Sequence, residues 1–323
     1  MNKGYNLASL GILEAGTAIG PGQVALANEG AFGKSFFSQP MTNYAIGWKT
    51  EDKKLENLLE FIAPGVRTAR RFEYKKANNA DEFALIADGS DVRALFGEFK
   101  MVQTIGDIVN AKTVSKGLTT VIEKDNEQPH DVKDKIKWLK KLLIKAEIYR
   151  AMTLLAAAAT NTAKTWNKDS KPDMDLMAAI DAFGDKVGVD ANRILMGTSA
   201  WVKRIGAYQA GARSNFVPPA TLKDLADFLN VDEIFKSSQR YTSGDDRAKL
   251  VAANKVFIFA GERGASLDDF STIKRFWSPD EGGGEYAVFI DDQTSAKLKK
   301  VTVCHTSQIA TTCATGVQSL TIS

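Results

Sequence analysis

The sequence is poor in the residues that build catalytic and metal centres. It holds two histidines, His130 and His305, and two cysteines, Cys304 and Cys313. Zinc sites use four Cys or His ligands, or three with an open position, so this stock speaks against one. By count the cysteines could pair or stand as two reduced thiols. No secretory leader is read at the start of the chain, which favours the thiols. Long apolar runs are missing as well: the longest, around residues 151–159, is far short of the ~18 residues that span a bilayer. The expectation is a soluble protein with no membrane partner. The formal charge is only +3, too small to argue for nucleic acid by itself. Internal repeats and low-complexity tracts are lacking too.

Catalytic signatures are equally scarce. There is no Gly-x-Ser-x-Gly elbow, no His-Glu-x-x-His helix and no calcium loop. A nucleophilic triad would have to recruit His130, at an expected helix start, or His305, in an expected strand; both places suit structural roles. The nearest lookalike is Asn28-Glu-Gly-Ala-Phe-Gly33-Lys34-Ser35. A phosphate-binding loop needs glycine where Asn28 stands, a buried strand before it and a helix after it. Residues 23–27 make a weak strand, and Pro40 is expected to stop the helix. Gly282-Gly-Gly284 reads as a turn between strands rather than a phosphate cradle. The chain is therefore expected to be no enzyme and to carry no cofactor or metal. An NTPase built on Gly33, Lys34 and Ser35 is the distant alternative.

What the chain does have is one long helix. Over about Asp131–Thr160, Ile136, Leu139, Leu143, Ala146, Met152 and Leu155 recur in steps of three and four, the period of a helix with one buried face. Its length would be roughly 45 Å, so it must act as a strut or lie along a surface. Lys133, Lys137, Lys140, Lys141, Lys145 and Arg150 occupy much of the other face. That face is either simply solvated or, through Lys133, Lys137, Lys140 and Lys141, a surface that meets nucleic acid phosphates without reading sequence.

With 323 residues, 44% hydrophobic and 25% charged, the chain has the stock of a folded protein of two domains or one elaborate one. Residues 1–48 read as a glycine-broken arm in which Phe36, Phe37, Tyr44 and Trp48 could order against a neighbour. Residues 49–65 hold a short amphipathic helix (Leu55, Leu58, Leu59, Ile62) ended by Pro64 and Gly65. Residues 66–111 form a strand-rich excursion with a tip between about Ala77 and Asp91. Residues 112–171 supply a strand and the long helix. Residues 172–255 read as helix, buried strand (Arg193–Met196), a helix capped by Thr198 or Ser199, and a helix opened by the capping box Thr221–Asp224. Residues 256–323 are β-rich. The apolar run Lys255–Ala260 at the boundary reads as a central strand.

Several stretches carry a likeness beyond this pattern. They are Lys116-Gly-Leu-Thr-Thr-Val-Ile-Glu-Lys-Asp125 before the long helix, Asp175-Leu-Met-Ala-Ala-Ile-Asp-Ala-Phe-Gly184, Asp190-Ala-Asn-Arg-Ile-Leu-Met-Gly-Thr-Ser-Ala-Trp201, and Leu225-Ala-Asp-Phe-Leu-Asn-Val231 through Lys255-Val-Phe-Ile-Phe-Ala260. In this order, over about residues 30–323, the chain resembles the major capsid proteins of tailed bacteriophages, whose fold encapsulin shells and the herpesvirus capsid floor share. The resemblance implies an α+β fold with an N-terminal arm, an extended β loop over residues 66–111 lying on an adjacent subunit, and a long spine helix in a peripheral domain. It implies an α/β axial domain over most of residues 172–255, with C-terminal strands returning to the peripheral domain. It implies a structural protein that self-assembles into pentamers and hexamers of an icosahedral shell around double-stranded DNA, located in the virion and assembled in the host bacterial cytoplasm. Portal, decoration and scaffolding proteins would be partners. Since the chain has its Met1 and no helical leader, scaffolding is expected to be a separate protein. An encapsulin-like nanocompartment shell is the alternative.

A shell also explains the excursion. Arg67, Arg70 and Arg71 at its base are expected to pair with acidic groups of a neighbour, and Phe83, Leu85, Phe96 and Phe99 to be buried against one. No lysine is matched to the covalent cross-links of some relatives.

Overall fold

The computed structural model describes residues 36–48, 54–76, 108–210, 219, 221–243, 246–262, 264–267, 269–293 and 297–323. Two five-stranded sheets carry the described architecture, and one helix runs from the first into the second. That helix, α3 (Asp131–Ala158), has 28 residues and so spans about 42 Å. Asp131 and Asp134 in its first turn suit the positive end of the helix dipole. It ends within two residues of the boundary expected from the sequence.

The first sheet is built on β13 (Leu298–Thr311). On one side β12 (Tyr286–Gln293) pairs with residues 298–305 and β11 (Ile273–Ser278) with residues 306–311; on the other, β4 (Val114–Glu123) pairs with residues 298–307. All three pairings are antiparallel, and β1 (Gly65–Arg67) adds a parallel pairing to β11. The helices α1 (Gln39–Gly47), α2 (Lys54–Ile62) and α3 close over this sheet around a core that includes Leu58, Ile62, Ile136, Ile144, Ile148, Val288, Val301 and Val303.

The second sheet runs β5 (Thr160–Lys164), β14 (Gln318–Ile322), β10 (Lys255–Phe259), β6 (Arg193–Gly197), β7 (Glu233–Ser237). The strand β10 is central, as its continuous apolar run requires. Alternate residues face opposite ways along a strand. Thus Ile194, Met196, Val256 and Ile258 enter the core under α4 (Pro172–Val187), α5 (Thr198–Ala210) and α6 (Leu222–Leu229). Leu195, Phe257 and Phe259 enter the core shared with α3. Asp173 in the first turn of α4 takes a two-pronged contact from the buried Arg204 of α5, at 2.6 and 2.9 Å, which fixes the two helices in register.

Local chemistry sets the helix ends. The capping box at α6 is present, with Asp224 N–H donating to Thr221 Oγ1 at 3.1 Å and Thr221 N–H to Asp224 Oδ2 at 3.3 Å. The start of α5 differs from the expected Thr198 or Ser199 cap. A side chain at Gly197 would overlap the carbonyl oxygens of Ala252 and Ala253. This close approach lets the N–H groups of Ser199 and Ala200 donate to the Ala253 carbonyl, at 2.8 and 3.0 Å.

Residues 39–47 of the expected irregular arm are helical. Pro40 opens α1 instead of stopping a helix, because in a first turn its missing N–H is one that would go unbonded anyway. The phosphate-loop lookalike through Ser35 lies outside the described residues. The excursion begins as an antiparallel ribbon of β2 (Arg71–Lys75) and β3 (Ile108–Lys112); its tip lies outside the described residues. The hairpin of β8 (Arg240–Ser243) and β9 (Asp246–Lys249) precedes β10. The β-prone tail is divided: β11–β13 belong to the first sheet, and β14 goes to the second.

Candidate functional site

The long helix α3 lies against β13 and β4 through a buried set of charges. Glu147, in the helix interior, is fully buried. Its Oε1 accepts from Lys116 Nζ of β4 at 2.9 Å and from Arg150 Nη1 at 2.6 Å, and its Oε2 accepts from Ser307 Oγ of β13 at 2.9 Å. Burial opposes ionisation of this carboxyl, but His305, Lys116 and Arg150 outweigh it and hold it at about 2. Burial likewise lowers Lys116, against the pull of Glu147.

His305 completes the set. Its ring stacks on Tyr286 with centroids 5.3 Å apart. Neither ring nitrogen has a hydrogen-bond partner, and Nε2 lies 4.0 Å from Glu147 Oε1. Burial drives its pKa down to about 4 despite the nearby carboxylate. At neutral pH it is therefore an uncharged ring in the sheet. Among the described residues no hydroxyl or thiol hydrogen-bonds to His305.

The four lysines expected to form a basic face do not stay together. Lys140 is buried, and its Nζ donates to the carbonyls of Ala45 at 2.7 Å and Trp48 at 2.6 Å. It is a cation at the C-terminal end of α1, where the helix dipole is negative, and it fastens α1 to α3. It cannot belong to a solvent-facing surface. The reason is that α3 is covered on two sides, by α1 and α2 and by the sheet, so its buried stripe is wider than the sequence period suggested. Lys137 pairs with Asp134 at 3.3 Å. Lys133 is exposed beside the Tyr44 ring, and Lys141 is exposed.

The three arginines gather at the foot of the ribbon, all exposed. Arg67 lies over the Trp277 ring at 5.8 Å. Arg70 approaches Asp280 of its own chain at 3.9 Å. Arg71 stands opposite Lys112 in the ladder. Phe83, Leu85, Phe96 and Phe99 lie outside the described residues. Asp280 starts a turn in which Gly282 and Gly283 take φ of 89° and 76°, a conformation that favours glycine. This turn links β11 and β12, as read from the sequence. Asp280 also accepts from Thr306 Oγ1 at 3.2 Å and faces Cys304 Sγ at 3.7 Å. Burial and then this carboxylate push the Cys304 thiol far up. Both cysteines are free.

Beside this foot runs the outer edge of β4. No strand pairs with it among the described residues, and Leu118 and Val121 are exposed along it. An unpaired edge of a ten-residue strand is a template for pairing with another chain. Among the described residues, no cluster of His, Cys, Asp and Glu is arranged to hold a metal ion, and no helix is long and apolar enough to cross a membrane.

The fold has solved counterparts. A phage-related protein from Bordetella bronchiseptica RB50 is similar with a TM-score of 0.64 at 16% identity, covering 88% of this chain and 96% of that one. A protein assigned as a prophage capsid protein in Escherichia coli CFT073 is similar at 0.49 and 11% identity, covering 89% and 99%. The SrpI encapsulin of Synechococcus elongatus PCC 7942 is similar at 0.47 and 10% identity, covering 98% and 95%. No family model and no curated protein matches the sequence. At the level of fold, the α+β class expected from the sequence is met, and a phage-related protein shares the fold.

Glu147 is the member of this site that the sequence reading missed. Its spacing from Leu143, Ile144 and Ile148 puts a carboxylate on the apolar stripe, and such a group needs a buried cation.

Proposed function

We propose that the chain is the structural major capsid protein of a tailed bacteriophage, with no catalytic role. It assembles with itself into pentamers and hexamers of an icosahedral shell that packages double-stranded DNA. The observation that carries this reading is the fold shared with a phage-related protein over nearly the whole of both chains. The surface agrees with it. An unpaired β4 edge and a charged ribbon foot are liabilities on a free subunit and contacts within a shell.

In this reading the segment from residue 66 to 111 lies over a neighbouring subunit. Arg67, Arg70 and Arg71 then meet acidic groups there, and Phe83, Leu85, Phe96 and Phe99 are buried against it. The shell forms in the host bacterial cytoplasm with scaffolding and portal proteins, and decoration proteins bind outside. Packaged DNA meets the exposed cations of the spine helix without sequence reading.

The test is electron microscopy of the purified protein paired with light scattering. Closed shells, or rings of five and six, are expected. A stable monomer or dimer in the presence of the scaffolding protein would overturn the reading. Shells filled with a cargo enzyme instead of DNA would replace it with a nanocompartment.

A further inference from the structure

Trp138, Lys141, Lys145 and Tyr149 follow one another along α3 at steps of three, four and four. They form a single stripe, with its two rings about 16 Å apart along the axis. Both rings are half exposed, Trp138 at 51% and Tyr149 at 50%. The hairpin of β8 and β9 folds against this stripe: Tyr241 meets Tyr149 edge-on at 5.3 Å between centroids. This contact belongs to the same hairpin that carries Arg247, whose charge reaches Lys145. Lys145 is held below its ordinary value by burial, then by Lys141 and Arg247. None of the three cations has an acidic partner among the described residues. Asp134, the nearest carboxylate on the stripe, is taken up by Lys137.

Three cations without an acidic partner, two half-exposed rings and Lys135 over the Trp138 ring at 5.8 Å suit a polyanion that also offers flat faces. An acidic peptide would use the charges and leave the rings idle. We infer that Trp138, Lys141, Lys145 and Tyr149, with Arg247, form a binding strip for single-stranded nucleic acid, its phosphates on the cations and its unpaired bases on the rings. This rests on the shell reading for its setting and goes beyond it: packaged duplex would meet the cations alone, and only an unpaired strand would also use the rings. The strip extends beyond the lysines picked from the sequence, adding Lys145, Trp138, Tyr149 and Arg247 to Lys141.

The test is anisotropy of a labelled oligo-dT against a duplex of equal length, measured on the full chain over a salt series. It reads the subunit, so it is independent of whether shells form. Neutralising three phosphates of a single strand gives a slope of log affinity on log salt of about −2. Lys141→Ala with Lys145→Ala should reduce it to about −0.7, for one remaining contact. Trp138→Ala should weaken oligo-dT binding roughly 5- to 150-fold, the range for one stacked base, and leave duplex binding nearly unchanged. Lys223→Ala on α6 is the control and should change neither. Circular dichroism of each variant checks that the fold is kept. Absence of oligonucleotide binding at low salt overturns the inference. So does binding that is indifferent to the Lys141 and Lys145 changes, or a Trp138→Ala variant that loses duplex and single strand alike.

Discussion

Nε2 of His305 stops 4.0 Å short of Oε1 of Glu147, with both groups shut away from water. The relationship makes the joint between α3 and the first sheet sensitive to acid. In the folded chain His305 titrates at about 4, against 6.5 for an ordinary histidine. Between these values the unfolded chain binds the proton and the folded one does not, so stability falls as pH falls through that window. Glu147 adds to this lower down: its contribution is whole above 4.5 and is lost as pH falls toward about 2. The melting temperature should therefore drop from pH 6.5 to 4, and His305→Phe, which keeps the stack on Tyr286, should flatten that segment. Parallel curves for the two proteins would contradict this.

Glu147→Gln should destabilise the fold by about 3 kcal/mol, because Lys116 would be left as a buried charge without its counterion. Urea unfolding curves with an unchanged slope check it. Coupling between Glu147→Gln and Lys116→Met in a double-mutant cycle should exceed about 0.5 kcal/mol.

Neighbours Lys140 and Lys141 should behave as opposites. Lys140→Met removes two charge-assisted bonds to the end of α1 and should cost about 1.5–3 kcal/mol or more, with faster amide exchange in α1. It should leave oligonucleotide affinity unchanged. Lys141→Ala should lower the affinity and leave urea unfolding within about 0.5 kcal/mol of the parent.

Replacing Arg67, Arg70 and Arg71 together by Glu should block shell assembly while circular dichroism stays that of the parent. The three side chains are exposed, and the contact of Arg70 with Asp280 contributes little. Placing lysine at Leu118 and Val121 should block assembly in the same way by spoiling the β4 edge. Normal shells from either variant would remove that surface from the assembly reading.

Much of the scaffold was legible in the sequence because it is set locally. The period over α3, the apolar run of β10 and the Thr221–Asp224 box are properties of neighbouring residues. The failures are non-local. Nothing near Lys140 in the sequence says that the end of α1, more than ninety residues earlier, covers it. Of the partners of Glu147, Lys116 and Ser307 lie 31 and 160 residues away. Pro40 was misread because proline stops a helix that reaches it and starts one that follows it, and sequence alone does not say which.

Ala159 alone separates the end of α3 from the first residue of β5. Two further crossings, from β10 to β11 and from β13 to β14, tie the same pair of sheets together. In mechanical terms the two sheets are joined at three places, the helix being one of them, and not by a hinge. Torque applied to one sheet must appear in the other, because no single link can swivel to absorb it. A contact made at the ribbon foot would thereby be felt around α4, α5 and α6.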